Sequence, residues 1–161
     1  MIAVSDHLPD VTLLHMGDDG PREVALSDLT SGKKAVIFGM PGAFTSTCTG
    51  AHLPSLIRTA DDFRDKGVEE LLVVVVNDVF VAAEWAKQTG ATAAGITVLA
   101  DADASFTKAA GLEFTAPPVG FYDRTQRCAI YAEDGVVKVL NLEEERGVCN
   151  MTAGETLLGQ I

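Results

Sequence analysis

The 161-residue chain has little positive charge, few cysteines and no long apolar run. Twelve Lys and Arg stand against 23 Asp and Glu, for a net charge of −11. Binding to nucleic acid or to an anionic membrane needs a basic face, so neither is expected. The acidity reads as a solubility feature. The longest apolar stretch, "LLVVVV" (Leu71–Val76), is far too short to span a bilayer. Met1–Leu8 has no apolar signal core, and Asp6 and Pro9 interrupt that region, so a cytoplasmic location is expected. Cys48, Cys128 and Cys149 are too few and too scattered for a disulfide framework. No Cys-x-x-Cys occurs, which removes the basic unit of dithiol motifs and zinc ribbons. In a reducing compartment each lone thiol is then either inert core or a reactive group.

What is present fits one domain over residues 1–161, with enough apolar residues to bury a core. "AVIFGM" (Ala35–Met40) ends at Pro41-Gly42, and "LLVVVVN" (Leu71–Asn77) ends at Asn77-Asp78. Both read as buried strands without alternation, so helices should cover both faces of their sheet. "AIYAEDGVVKVLNLE" (Ala129–Glu143) predicts a hairpin turning at Asp134-Gly135. Helices are predicted over Val79–Gly90, over Ser105–Glu113 with Gly111 near its end, and over Ala153–Ile161. A further helix is predicted from Cys48 to about Lys66, kinked by Pro54. The order predicts an α/β or α+β sandwich with a mixed sheet.

"PGAFTSTCTGAHLP" (residues 41–54) holds the chemistry. Cys48 follows a predicted strand and opens a predicted helix, with Thr45, Ser46 and Thr47 as candidate N-caps. Sites in open α/β sheets collect at the C-terminal ends of strands. A helix N-terminus offers unpaired N–H groups and partial positive charge, which favour thiolate, the nucleophilic form. Cys48 therefore reads as an activated thiol more than as core filler. A metal site would need His52 and further ligands, of which the chain has few. A Cys–His hydrolase would use His52, one helical turn away, as base.

The same segment resembles the active-site segment of peroxiredoxins of the type II (five-like) subgroup, whose pattern reads PGAFTPTCS followed by a histidine and a proline. "LLVVVVNDVFVAAEWAK" (Leu71–Lys87), "LADADASFTKAAGLE" (Leu99–Glu113) and "RTQRCAIYAEDGVVKVLNLEE" (Arg124–Glu144) resemble that subgroup in register. The resemblance implies a thioredoxin-like fold, a mixed central β-sheet flanked by helices, with peroxiredoxin-type insertions. It implies a thiol peroxidase that reduces hydrogen peroxide and organic hydroperoxides without metal, haem or flavin. Cys48 would be the peroxidatic cysteine, Thr45 the active-site threonine, Pro41 the shielding proline and Arg127 the arginine from a later strand. Attack on peroxide would leave a Cys48 sulfenic acid, reduced by thioredoxin, glutaredoxin or glutathione. Resolution would come from Cys149 or from an external thiol. Cys149 lies about two positions from the resolving site of some members.

The resemblance also implies a homodimer, for which Phe44, Phe80 and Phe121 are candidate contacts. Three positions depart from the pattern. Ser46 replaces a proline, Ser55 replaces a glycine, and Cys128 stands where an aromatic usually follows the arginine; Cys128 reads as core. The alternative reading is a peroxide-sensing relay that passes oxidation from Cys48 to a partner.

Overall fold

Two uninterrupted apolar runs pair in parallel at the centre of the molecule. In a computed structural model describing residues 1–161, the chain forms β1 (Thr12–Gly17), β2 (Gly20–Ala25), α1 (Leu26–Thr30), β3 (Lys34–Met40), α2 (Leu53–Asp65), β4 (Glu70–Val75), α3 (Val79–Gln88), β5 (Thr97–Ala100), α4 (Ser105–Ala109), β6 (Glu113–Ala116), β7 (Phe121–Thr125), β8 (Cys128–Glu133), β9 (Val136–Leu142) and α5 (Gly154–Leu158). Seven strands make one sheet in the order β2-β1-β5-β4-β3-β8-β9, and β6 and β7 form a separate ribbon. The β3–β4 and β4–β5 pairs are parallel, whereas β8 joins β3 antiparallel. This is the expected mixed α/β sheet of the thioredoxin-like kind.

The lack of alternation in β3 has a direct cause. Val36, Phe38 and Met40 face one core, packed with Leu53, Leu56 and Phe63 of α2 and Trp85 of α3. Ile37 faces a second core with Leu13, Leu72, Phe106 and Ile130. Burying one such Leu, Ile or Phe contributes about 1.5–3 kcal/mol, so the two cores dominate the folding energy. No helix is long and apolar enough to cross a membrane.

Several elements differ from expectation. The helix beginning at Ser105 stops at Ala109, where Gly111 (φ 68°) turns the chain; Gly111 N–H donates to Lys108 O and Leu112 N–H to Thr107 O. Glu113, expected at the helix end, opens β6 instead. The last helix covers Gly154–Leu158 rather than Ala153–Ile161. The β1–β2 hairpin, β5 and the β6–β7 ribbon carry no clear period because they are short or open to solvent on one side. The β8–β9 turn matches expectation, with Asp134 at φ 50° and Gly135 at 73°.

Before α2 the chain makes a π-turn over Cys48–His52, and Pro54 lies in the first turn of α2. Pro54 has no N–H to close an α-turn on the residue four back. Leu53 N–H bonds to Cys48 O, five residues back, and the helix continues from there.

Candidate active site

The end of β3 feeds a turn that is tied down on several sides. Asn77, just past β4, accepts a hydrogen bond on its side-chain oxygen from Ala43 N–H at 2.8 Å. Phe44 adopts φ 62°, an uncommon left-handed conformation for a residue with a bulky side chain. The Thr45 hydroxyl donates to Gly42 O at 2.7 Å and the Thr47 hydroxyl to Gly147 O at 3.0 Å. These hydroxyls therefore do not cap the helix as expected, and Thr47 at its margin makes no capping bond. Ser55, the departure from a glycine, bonds His52 O and accepts from Gly154 N–H, tying α2 to α5.

Cys48 lies in the larger core, fully buried, at the first turns of this helix. Arg127, in the short link between β7 and β8, brings Nη2 to within 3.4 Å of Cys48 Sγ. Its Nη1 donates to His52 Nδ1 at 3.0 Å. A cation donating a hydrogen bond at this range stabilises a negatively charged sulfur, most strongly away from bulk water. A second arginine, Arg124, donates to Pro41 O at 2.9 Å and lies over the Phe121 ring at 4.9 Å. Burial lowers the pKa of Arg124, and the charge of Cys48 opposes that shift.

His52 is buried with both ring nitrogens engaged. Nε2 lies 3.0 Å from Thr152 O. Burial first, and then the Arg127 charge, push its pKa down to about 3. No free nitrogen is left to act as base toward Cys48, so the hydrolase reading fails. No three His, Cys, Asp or Glu side chains converge in a group that could hold a metal ion.

Cys149 lies half-buried in the loop between β9 and α5. The Thr152 hydroxyl oxygen lies 3.8 Å from its sulfur. Burial pushes the Cys149 thiol up, while the Thr152 hydroxyl and Arg127 pull it down. Glu143 accepts from Asn150 N–H at 2.5 Å, and from Thr152 N–H and the Thr152 hydroxyl at 3.0 Å each. The loop is thus bonded to both sides of the Cys48 turn, through Thr47–Gly147 and His52–Thr152. All three cysteines are free thiols. Cys128 faces the other core, where burial pushes its thiol up to about 12.

A cavity of about 700 Å3 opens beside the site. Pro41, Thr45 and Arg127 form part of its lining, with Phe114 and Phe121 on the ribbon side and Glu144 on the loop side. Phe44 and Phe80 are exposed, whereas Phe121 packs under Arg124. Sequence reasoning does not single out Arg124, Glu143 or Thr152. The only signal for Arg124 is that it is the first arginine of "RTQR".

The family model described as Redoxin matches residues 3–155. "Peroxiredoxin-2E-2, chloroplastic" of Oryza sativa subsp. japonica is 42% identical over 97% of this chain and 71% of its own length. "Peroxiredoxin-2F, mitochondrial" of Arabidopsis thaliana is 41% identical over 84% of this chain and 67% of its own. Among solved structures, reduced Prx3 in complex with hydrogen peroxide from Vibrio vulnificus superposes with a TM-score of 0.93 at 41% identity, covering 99% of each chain. None of these favours the relay reading. With a buried thiol and an arginine donor at the end of a central strand, and relatives matching nearly the whole chain, this protein belongs to the Redoxin family and, within it, to the type II peroxiredoxins, the thiol-dependent peroxidases.

Proposed function

We propose that Cys48 is the peroxidatic nucleophile and that Arg127, Thr45 and Pro41 complete its site. The observation that carries this is the 3.4 Å contact between Arg127 Nη2 and Cys48 Sγ inside the core. The Cys48 thiolate attacks one oxygen of ROOH, where R is hydrogen or an organic group. The O–O bond breaks, Cys48–S–OH forms, and RO⁻ takes up a proton to leave as ROH. Donors preorganised where the oxygen charge develops supply the largest catalytic effect. The Arg127 guanidinium and the first helical N–H groups fill that role. The Thr45 hydroxyl reaches the reacting oxygens by exchanging Gly42 O for peroxide. Pro41 lines the entrance and has no N–H to hold water.

A thiol then attacks the sulfenic acid and releases water, and a second thiol reduces the resulting disulfide. The first is either Cys149 or the external reductant: thioredoxin, glutaredoxin or glutathione. The two bonds that tie the Cys149 loop to the Cys48 turn support Cys149 as the resolving thiol. Its half-buried, raised pKa makes that step slow until the loop moves. Residues 1–161 act as one domain, paired as a homodimer through the exposed Phe44 and Phe80. Three free thiols fit a reducing compartment, which we assign as the cytoplasm.

Turnover of hydrogen peroxide and an alkyl hydroperoxide, with thioredoxin, glutaredoxin and glutathione in parallel, tests the whole reading. Consumption coupled to at least one reductant is expected. Absence of turnover with all three would remove it. A peptide map after one equivalent of peroxide should contain a Cys48–Cys149 disulfide. Sulfenic or sulfinic Cys48 alone would assign resolution to the external thiol.

A further inference from the structure

One buried group beside Cys48 has no part in the peroxide chemistry above. His52 is fully buried, with its ring edge-on to Phe38 at 5.2 Å between centroids. Its two neighbours allow only one arrangement of the ring proton. The Thr152 carbonyl can only accept, so Nε2 carries the hydrogen; the Arg127 guanidinium can only donate, so Nδ1 is bare. Thr152 is itself held, since its N–H and hydroxyl both bond the Glu143 carboxylate. A chain of bonds therefore runs from Glu143 through Thr152 and His52 to Arg127 and ends on Cys48 Sγ.

The guanidinium is planar and its donors form a rigid fork. Holding Nη1 on His52 therefore aims Nη2 at the sulfur. The identity of the acceptor also matters. A carboxylate in place of the imidazole would hold Arg127 at least as tightly, but its negative charge would cancel the charge that Cys48 and the departing oxygen need. A neutral imidazole orients the cation and leaves its charge intact. The charged groups facing the ring are Arg127 on one side and, through Thr152, Glu143 on the other. Burial and the Arg127 charge both keep the ring unprotonated at neutral pH.

We propose that His52 is a positioning residue, whose bare Nδ1 fixes the Arg127 guanidinium on Cys48 without neutralising it. The proposal rests on Cys48 being the peroxidatic thiol. Three substitutions separate its parts. His52→Asn keeps an acceptor near the Nδ1 position, His52→Asp has the same shape with a negative charge, and His52→Gln keeps a donor toward Thr152 O.

The measurement is the second-order rate of Cys48 oxidation by hydrogen peroxide, in single turnover. His52→Asn should stay within about threefold of the parent, whereas His52→Asp and His52→Gln should fall about tenfold or more, the scale of a misplaced catalytic group. A fast Gln variant with a slow Asn variant would reduce His52 to a tether for the Thr152 loop and overturn the proposal. An Asp variant as fast as Asn would overturn the charge argument. Nitrogen-15 NMR of the unsubstituted protein decides the matter if the variants fail to fold. A neutral Nε2–H ring down to about pH 5 is expected, below the ordinary histidine range. An Nδ1–H ring or an imidazolium at that pH would overturn the proposal. If the unsubstituted protein does not consume peroxide, the function falls. If it does and the ranking is reversed, only the role of His52 falls.

Discussion

Cys48 and Cys128 are equally hidden, each at 0% exposure, but they face opposite sides of one sheet. Cys128 follows Arg127 directly in the chain, yet the guanidinium reaches Cys48. Around Cys128 lie Leu13, Leu72, Phe106 and Ile130, with no hydrogen bond donated to its sulfur by a side chain. Burial there raises the pKa to about 12 and leaves a neutral, small core residue. Around Cys48 a buried cation donates to the sulfur, within the first turns of a helix. Burial alone therefore keeps the Cys128 thiol neutral, and what sets Cys48 apart is the cationic donor fixed beside it.

The largest test of this contrast is a pair of serine substitutions. Cys48→Ser should lower peroxide consumption by about a thousandfold or more, because a hydroxyl is a far weaker nucleophile at neutral pH. Cys128→Ser should stay within about threefold, since that sulfur meets no reacting atom. The opposite order in a peroxide assay would invert the roles of the two thiols.

Next in size is the donor itself. Arg127→Ala should lower the rate of Cys48 oxidation about a hundredfold, the scale of losing one preorganised donor to a developing charge. Arg127→Lys should recover little of this, because lysine lacks the fork that bonds His52 and Cys48 together. Stopped-flow kinetics with matched protein stability would check both; full activity in the alanine variant would remove the contrast between the thiols.

Cys128 should show its effect in stability. A Cβ at Gly39 would lie 2.6 Å from Cys128 Sγ. Gly39→Ala should therefore cost about 1–3 kcal/mol by overpacking. Adding Cys128→Ala should recover much of that loss, since the two residues share one space. Urea unfolding of the four proteins measures the coupling, and simple additivity would show that the strand relaxes away from the contact.

A further test is the pH dependence of stability. Folded Cys128 holds its proton up to about 12, whereas the unfolded chain loses it near 9.0. Stability should then fall as pH rises through that window, and Cys128→Ala should flatten the slope. Folded His52 stays neutral down to about 3, whereas the unfolded chain takes up a proton near 6.5. Stability should fall as pH drops from 6.5 toward 3, and His52→Asn should flatten that limb. Chemical unfolding across both ranges reads the two slopes, and unchanged slopes in the variants would assign them to other groups.

Much of the framework is legible in the order of residues alone. β3 and β4 show as continuous apolar runs because neighbours on both faces bury them. The Asp134-Gly135 hairpin shows because two positive φ angles need those residue types. The turn that carries Cys48 shows because Pro41-Gly42 ends the apolar run of β3. Arg127 is reached through resemblance along the chain rather than by local pattern. Arg124, Glu143 and Thr152 escape notice because single polar residues in links and loops carry no period. The hydroxyls of Thr45 and Thr47 read as caps, but they bond Gly42 and Gly147 once the loop from β9 arrives.

The sequence by itself determined what is set within a few residues. That covers the two central strands, the hairpin and the acidic, cysteine-poor character of the chain. Only the tertiary structure decided which of two buried thiols meets the cation, and that the His52 ring lies between Arg127 and the Thr152 carbonyl. The physical reason is separation along the chain. The partners of Cys48 and His52 come from residues 127 and 152, and no local periodicity records a contact made only when distant segments pack together.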